Sequence, residues 1–117
     1  MFALSEQMHY YLCHRAIRMS NGINGLYTII KNELKRSPVS GDVFVFFSRN
    51  HQAVKLLKWD GDGFILYHKR LERGTFEVPK YNPEQDRFEM PWRTFNLIMS
   101  GVSIKSARFR RRFRIET

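Results

Sequence analysis

Around the sequence DGDG (60–63), apolar and polar residues alternate, although imperfectly. Two apolar-rich runs, AVKLLKW (53–59) and FILYHKRL (64–71), flank it. Gly and Asp tolerate the positive φ values that a tight chain reversal needs. The pattern therefore predicts a β-hairpin. Both faces of the hairpin carry large apolar groups near the turn and basic groups further out. We therefore expect a sheet that is covered on one side and basic on the other.

Three further segments have the composition of strands. MHYYL (8–12) is aromatic-rich, and VFVFF (43–47) reads as a central strand that is buried on both faces. TFEV (75–78) can add a strand that ends at Pro79, because proline belongs at the end or edge of a sheet strand. These segments join the hairpin arms in one predicted sheet.

Two segments have helical spacing. The first has apolar residues at i, i+3, i+4 and i+7, with Ser20 or Asn21 as the predicted N-cap and Pro38 as the stop. Its apolar residues are Ile23, Leu26, Tyr27, Ile30 and Leu34. The second helix is predicted from Pro91 or Trp92 to Ser100, with Gly101 as a left-handed C-terminal cap.

The chain of 117 residues is long enough for one domain with one core. The predicted elements give an α+β fold, with a small antiparallel sheet of about four or five strands and two helices packed on one face. Residues 1–104 form the predicted single domain, and residues 105–117 form a basic C-terminal tail.

The formal net charge of +9 narrows the class of partner. Of the 20 Lys and Arg residues, six lie between Lys105 and Arg114. Such a charge indicates a polyanionic partner, which can be DNA, RNA or an acidic protein surface. Charge alone does not choose among the three.

The sequence also bears on location. The longest apolar run, residues 43–47, is far shorter than the roughly 20 residues of a membrane helix, and the N-terminus lacks the features of a secretory signal. The single cysteine, Cys13, cannot form an internal disulfide, which suits a reducing cytosol. We expect a cytoplasmic protein without membrane contact, in which Cys13 is a buried structural thiol.

Basic residues are the leading candidates for DNA contact. On the hairpin these are Lys55, Lys58, Lys69, Arg70 and Arg73, and the alternative is an ordinary solvated face covered by lysine stems. In the tail, arginines surround two phenylalanines, an arrangement that can neutralise phosphates and stack on bases. The alternative there is a solubilising extension. The tail candidates are Lys105, Arg108, Arg110, Arg111, Arg112 and Arg114.

Acidic residues near the hairpin raise a second chemistry. Asp60, Asp62 and Glu72, with Lys69 nearby, could hold Mg²⁺ at a nuclease site. The sequence favours the simpler interpretation of a turn and an exposed reversal, because DGDG lacks the further ligands of a calcium loop. The histidines have no recognisable metal-binding spacing. We therefore predict no catalytic residue, metal or cofactor.

The segment KLLKWDGDGFILYHKRLERGTFEVP (55–79) follows the FVF sequence at 44–46. Together they resemble the TnpB-type accessory proteins of the insertion sequence 66 family. That family combines an FVF-like strand, a K-I-L-(W/Y)-D-G-D-G-F run and K-R-L-E-x-G-x-F-x-x-P. The matches in the second and third parts are Lys55, Leu57, Trp59, Asp60, Gly61, Asp62, Gly63, Phe64, Lys69, Arg70, Leu71, Glu72, Gly74, Phe76 and Pro79.

The family also has a D-M-R-K-G-x-x-G-L segment that opens its helix. Here the chain differs from the family at Arg18, Ser20 and Asn21. The residues that are kept are Met19, Gly22, Gly25 and Leu26. The resemblance implies a non-enzymatic accessory protein that is encoded beside a separate transposase and assists DNA transposition. It would bind DNA, the transposase or both. The alternatives are a module that contacts only proteins and, ranked lower, a metal-dependent nuclease.

Overall fold

The computed structural model describes residues 4–80 and 88–104. In this part of the chain, five strands form one open sheet of order β4-β3-β2-β1-β5, and two helices accompany it. This confirms the α+β class. The elements are β1 (Tyr10–Leu12), α1 (Ile23–Asn32), β2 (Val43–Phe47), β3 (Ala53–Trp59), β4 (Phe64–Arg70), β5 (Glu89–Met90) and α2 (Trp92–Ser100).

The hairpin of β3 and β4 forms as the sequence predicts. Its arms pair antiparallel from Trp59 opposite Phe64 outward to Ala53 opposite Arg70. The Asp60 amide donates to the Gly63 carbonyl at 2.8 Å, which closes the turn. Gly61 has a φ of 77°, a value that a residue without a Cβ adopts without strain.

The sheet is mixed, so the expectation of an entirely antiparallel sheet is wrong in one pairing. Strand β1 runs parallel to β2, with Tyr10 beside Val43, while the other strand pairs are antiparallel. The reason is the strand–helix–strand order of β1, α1 and β2. A crossover helix returns the chain to the end of the sheet at which β1 began, so that β2 runs in the same direction as β1.

The two helices lie on opposite faces, so the prediction that they share one face is also wrong. Leu26 and Ile30 of α1 belong to the core that contains Phe44 and Phe46. The core on the other face contains Phe95 and Ile98 of α2, packed with Val43, Val45 and Leu56. Every residue of β2 is buried. A strand that is apolar on both faces needs cover on both faces, and one helix supplies each cover.

Two smaller expectations also fail. Residues 75–78 form no strand; instead Phe76 inserts into the core, 5.7 Å from the ring of Phe47. The N-cap of helix α1 is Gly22 and not Ser20 or Asn21, and because glycine has no side chain the helix begins without a side-chain cap. The second helix and its left-handed cap at Gly101 form as predicted.

The basic tail, 105–117, lies outside the described residues. Among the residues that are described, none of the helices has the length and apolar character needed to cross a bilayer.

Cys13 is buried, as the sequence predicts. Its Sγ donates to the Arg15 carbonyl at 3.4 Å. Burial raises the pKa of the thiol above its ordinary value, because a thiolate would lose its hydration. The reactive form of the cysteine is therefore disfavoured in the folded chain.

We predict that Cys13 reacts at least ten times more slowly with a soluble disulfide reagent at pH 8 in the native protein than in urea. Release of the reagent's chromophore measures both rates, and Cys13→Ser supplies the background. Equal rates in the two states would contradict the burial of this thiol.

Candidate nucleic-acid interface

The parallel pairing of β1 with β2 brings the segments that follow these strands to the same end of the sheet, where both strands have their carboxyl ends. The Cys13 amide donates to the Val45 carbonyl, and the Ile17 amide donates to the Phe47 carbonyl, both at 3.0 Å. The chain after β1 therefore runs beside β2 before it turns into α1. As a result, residues 15–21 lie next to the β2–β3 turn.

A third segment, which follows β4, lies at the same end of the sheet. The Leu71 amide donates to the Gln52 carbonyl and the Phe76 amide to the His51 carbonyl, each at 2.7 Å. This ties the chain after β4 to the β2–β3 turn. We call the exposed arginines on these three segments the basic edge; they are Arg15, Arg18, Arg49, Arg70 and Arg73.

A cleft of about 800 Å³ opens between the first two segments. Its walls are residues 15–21 on one side and 48–50 on the other, and no acidic residue is among these described lining residues. The beginning of α1 follows one wall directly, and its free amides add partial positive charge. The cleft therefore has the electrostatic character of an anion-binding surface.

Arg15 is the lining arginine whose charge is neutralised. Its Nε and Nη2 donate to the two carboxylate oxygens of Glu33 on α1, at 2.9 and 2.7 Å. This bond lowers the pKa of Glu33 and raises that of Arg15. The stabilisation is present above the ordinary glutamate pKa and is lost as pH falls through the lowered value. It is small, since the side chains are 57% and 43% exposed.

Arg18 and Arg49 carry charge that is not neutralised in this way. Both are exposed, both line the cleft, and they lie on opposite walls. Neither forms an ion pair with a residue that the structure describes. Two arginines without a described ion-pair partner therefore line one cleft.

The wall that carries Arg49 is built by side-chain hydrogen bonds. Ser48 Oγ accepts from the Ala53 amide at 3.0 Å and donates to Asn50 Oδ1 at 2.8 Å. Asn50 Oδ1 also accepts from the Gln52 amide at 3.0 Å. These bonds satisfy backbone amides of the turn, so they hold the backbone on both sides of Arg49.

The other wall, residues 15–21, is held by hydrogen bonds from Lys55 to its backbone. This side chain is only 6% exposed, and its Nζ donates to the carbonyls of Met19 and Asn21, both at 2.6 Å. The expectation that Lys55 contributes to an exposed basic hairpin face is therefore wrong. The register places Lys55 opposite Phe46 on the α1 side, where the sheet is covered.

The other hairpin candidates are divided between two ends and two faces. Lys58 lies at the turn end, 14% exposed, with its Nζ 3.7 Å from Asp60 Oδ1. Lys69 is half-buried opposite Val54, on the α2 side. Arg70 pairs with Glu72 at 3.0 Å and, with Arg73, belongs to the basic edge. The hairpin therefore presents no single basic face, and DNA contact by its residues stays a prediction.

The carboxylates of the nuclease hypothesis are not brought together. Asp60 and Asp62 lie at the turn, whereas Glu72 follows the far end of β4, roughly 20 Å away at 3.3 Å per residue. No cluster of three potential metal ligands occurs among the described residues. The geometry gives this hypothesis no support.

Sequence reasoning missed the cleft because it assumed antiparallel strands. Arg15 belongs to no recognisable motif in the sequence, and Arg18 stands out only as a departure from the family pattern. The signal was present in the order strand, helix, strand, which favours a parallel pair whose carboxyl ends meet. Segments at such ends are the usual place for binding sites in sheets with parallel strands.

Comparisons with known proteins match this chain to one family model and to two proteins of one organism. A family model described as "IS66 Orf2 like protein" matches residues 8–109, which confirms the resemblance seen in the hairpin motif. The uncharacterized protein y4jC of Sinorhizobium fredii is 30% identical over 103 residues, covering 87% of this chain and 86% of that protein. The uncharacterized protein y4hO of the same organism is 38% identical over 61 residues, covering 52% and 53%. No solved structure matches significantly.

The structure predicts that Ser48→Ala destabilises the protein by about 1–3 kcal/mol, because the buried Ala53 amide loses its acceptor. Thermal unfolding followed by circular dichroism should show a melting temperature lower by several degrees. Ser40→Ala is the matched control, since Ser40 makes similar bonds to Asp42 in an exposed turn. Equal effects of the two changes would contradict a special role for Ser48.

Proposed function

The chain belongs to the IS66 Orf2-like family, and from this premise we propose that it is a non-enzymatic accessory protein of DNA transposition that binds DNA through its basic edge. The family itself supports a transposition-related accessory role. To this role we add DNA as the ligand and the basic edge as the surface that binds it. It places the protein in the cytoplasm with the DNA of its element, where a single buried cysteine is compatible with reducing conditions.

One observation carries the proposal. Arg18 and Arg49 face one cleft from separate segments, and neither is paired with a carboxylate that the structure describes. A guanidinium can donate two parallel hydrogen bonds to a phosphate. Two such groups on opposite walls suit neighbouring phosphates of a nucleic acid backbone. Because phosphate contacts carry no sequence information, we expect binding with weak sequence preference.

Further basic residues extend this surface. Arg73 is exposed on the third segment of the basic edge. The tail residues 105–117 remain part of the proposal as additional phosphate contacts, on the strength of their sequence alone.

A protein partner is the second candidate, and the transposase of the same element is the one proposed. The observation that favours it is β4, an edge strand of seven residues whose outer side pairs with no described strand. Phe64, Ile65 and Leu66 on β4 are only half-buried. Such an edge can accept a strand from another chain.

We predict that Arg18→Ala and Arg49→Ala each weaken binding to a duplex oligonucleotide. A plot of log affinity against log salt should lose about 0.9 of its slope per lost phosphate contact. Fluorescence anisotropy from about 50 to 200 mM salt measures this slope.

Lys31→Ala is the matched control for these variants. Lys31 is exposed in the last turn of α1, about 12 Å along the helix from the cleft, and its loss changes the net charge equally. If it reduces the slope as much as the arginine changes do, binding follows total charge and not the cleft. If the wild-type protein shows no salt-dependent binding, the DNA proposal is wrong.

We also predict that Glu33→Gln tightens DNA binding. The change releases Arg15, which lines the cleft, from the carboxylate that now neutralises it. Affinity should rise severalfold at low salt, and the slope should gain up to about 0.9. Isothermal titration with the same duplex provides the measurement.

Asp60→Asn serves as the control for this gain. It removes one negative charge from the Lys58–Asp60 pair, at the end of the hairpin away from the basic edge. We expect little change in affinity. A gain that is equal for both variants would show that net charge, and not the release of Arg15, causes the effect.

A further inference from the structure

Lys55 is a buried cation whose polar partners belong to a distant part of the chain. Its Nζ reaches the carbonyls of Met19 and Asn21 at 2.6 Å, although more than thirty residues separate them in sequence. The side chain does not line the cleft. It rises from the central part of β3 into the backbone of one cleft wall.

Burying an ammonium group is costly unless hydrogen bonds replace its hydration. The two short, charge-assisted bonds to Met19 and Asn21 supply that replacement. In return, these bonds fix two backbone carbonyls on either side of Ser20. The Arg18 carbonyl accepts from the Asn21 amide at 3.0 Å and from Asn21 Nδ2 at 3.1 Å, which closes the turn over the lysine.

We propose that Lys55 is a positioning residue for DNA binding: it holds the turn of residues 18–21 so that Arg18 faces the cleft opposite Arg49, and it does not touch DNA itself. This inference rests on the proposed DNA-binding function. It assigns to a lysine of the hairpin motif a role through the backbone of another segment.

Arg49 provides the contrast that makes the inference testable. Its wall is held by Ser48 and Asn50, whose side-chain hydrogen bonds lie within the β2–β3 turn and do not involve Lys55. Loss of Lys55 should therefore displace Arg18 and leave Arg49 in place. The effect of removing Lys55 should depend on which arginine is present.

The experiment combines Lys55→Met with the two arginine variants in the full chain. Duplex binding is measured as a function of salt for wild type, Arg18→Ala and Arg49→Ala, each with and without Lys55→Met. Methionine keeps the length and apolar stem but removes the donors. We expect Lys55→Met to reduce the slope by about 0.9 in wild type and in Arg49→Ala, and to cause no further loss in Arg18→Ala.

Two results would overturn the inference while leaving the proposed function intact. An equal loss in all three backgrounds would mean that Lys55 contacts DNA directly or acts on the whole fold. No loss in any background would mean that the turn needs no support from Lys55. Absence of salt-dependent binding by the wild-type protein, by contrast, would remove the proposed function and this inference together.

Circular dichroism and thermal unfolding check that each variant is folded. If Lys55→Met does not fold, Lys55→Gln takes its place in the same three backgrounds, because a polar side chain is better tolerated beside the two carbonyls while the charge and the full reach of Nζ are still lost. The same pattern of slopes is expected. Lys55→Arg retains the charge and the donors, and we expect it to recover most of the wild-type slope. Failure of Lys55→Arg to recover more than Lys55→Met would contradict the role of the cationic donor.

Discussion

The basic edge depends on the parallel pairing of β1 with β2. Two hydrogen bonds, from Cys13 to Val45 and from Ile17 to Phe47, carry this pairing beyond the end of β1. They bring the segment that precedes α1 against the β2–β3 turn. If β1 ran antiparallel to β2, the segment after β1 would lie at the opposite end of the sheet from the β2–β3 turn. The cleft therefore follows from the chain direction of a single strand pair, since neither wall would face the other without it.

In this fold Lys55 is buried, whereas the arginines of the basic edge are exposed. Lys55 is enclosed on the α1 side of the sheet and satisfies two carbonyls of the wall that carries Arg18. An apolar residue at this position would leave those carbonyls without the donors that Lys55 supplies. The backbone near Arg18 is held by Lys55, and the turn that carries Arg49 is held by Ser48.

The sequence predicted most elements and the wrong arrangement of some of them. Local signals sufficed where the cause is local: the DGDG turn, the β2 strand and the cap at Gly101 are all confirmed. The opposite placement of the helices could have been read from VFVFF, because a strand that is apolar on both faces requires two covers. The burial of Lys55 could not, since its partners at Met19 and Asn21 become neighbours only through the fold. The cleft escaped prediction for the same reason.

If the protein binds DNA as we propose, the DNA lies against the basic edge and not along the hairpin. Nitrogen-15 NMR spectra of the full chain, titrated with a short duplex, test this residue by residue. We predict that, among the residues that the structure describes, the largest chemical-shift changes occur in residues 15–21 and 48–52, with smaller ones in 70–74. Changes concentrated in residues 58–64 at the hairpin turn, with the cleft segments unaffected, would contradict it.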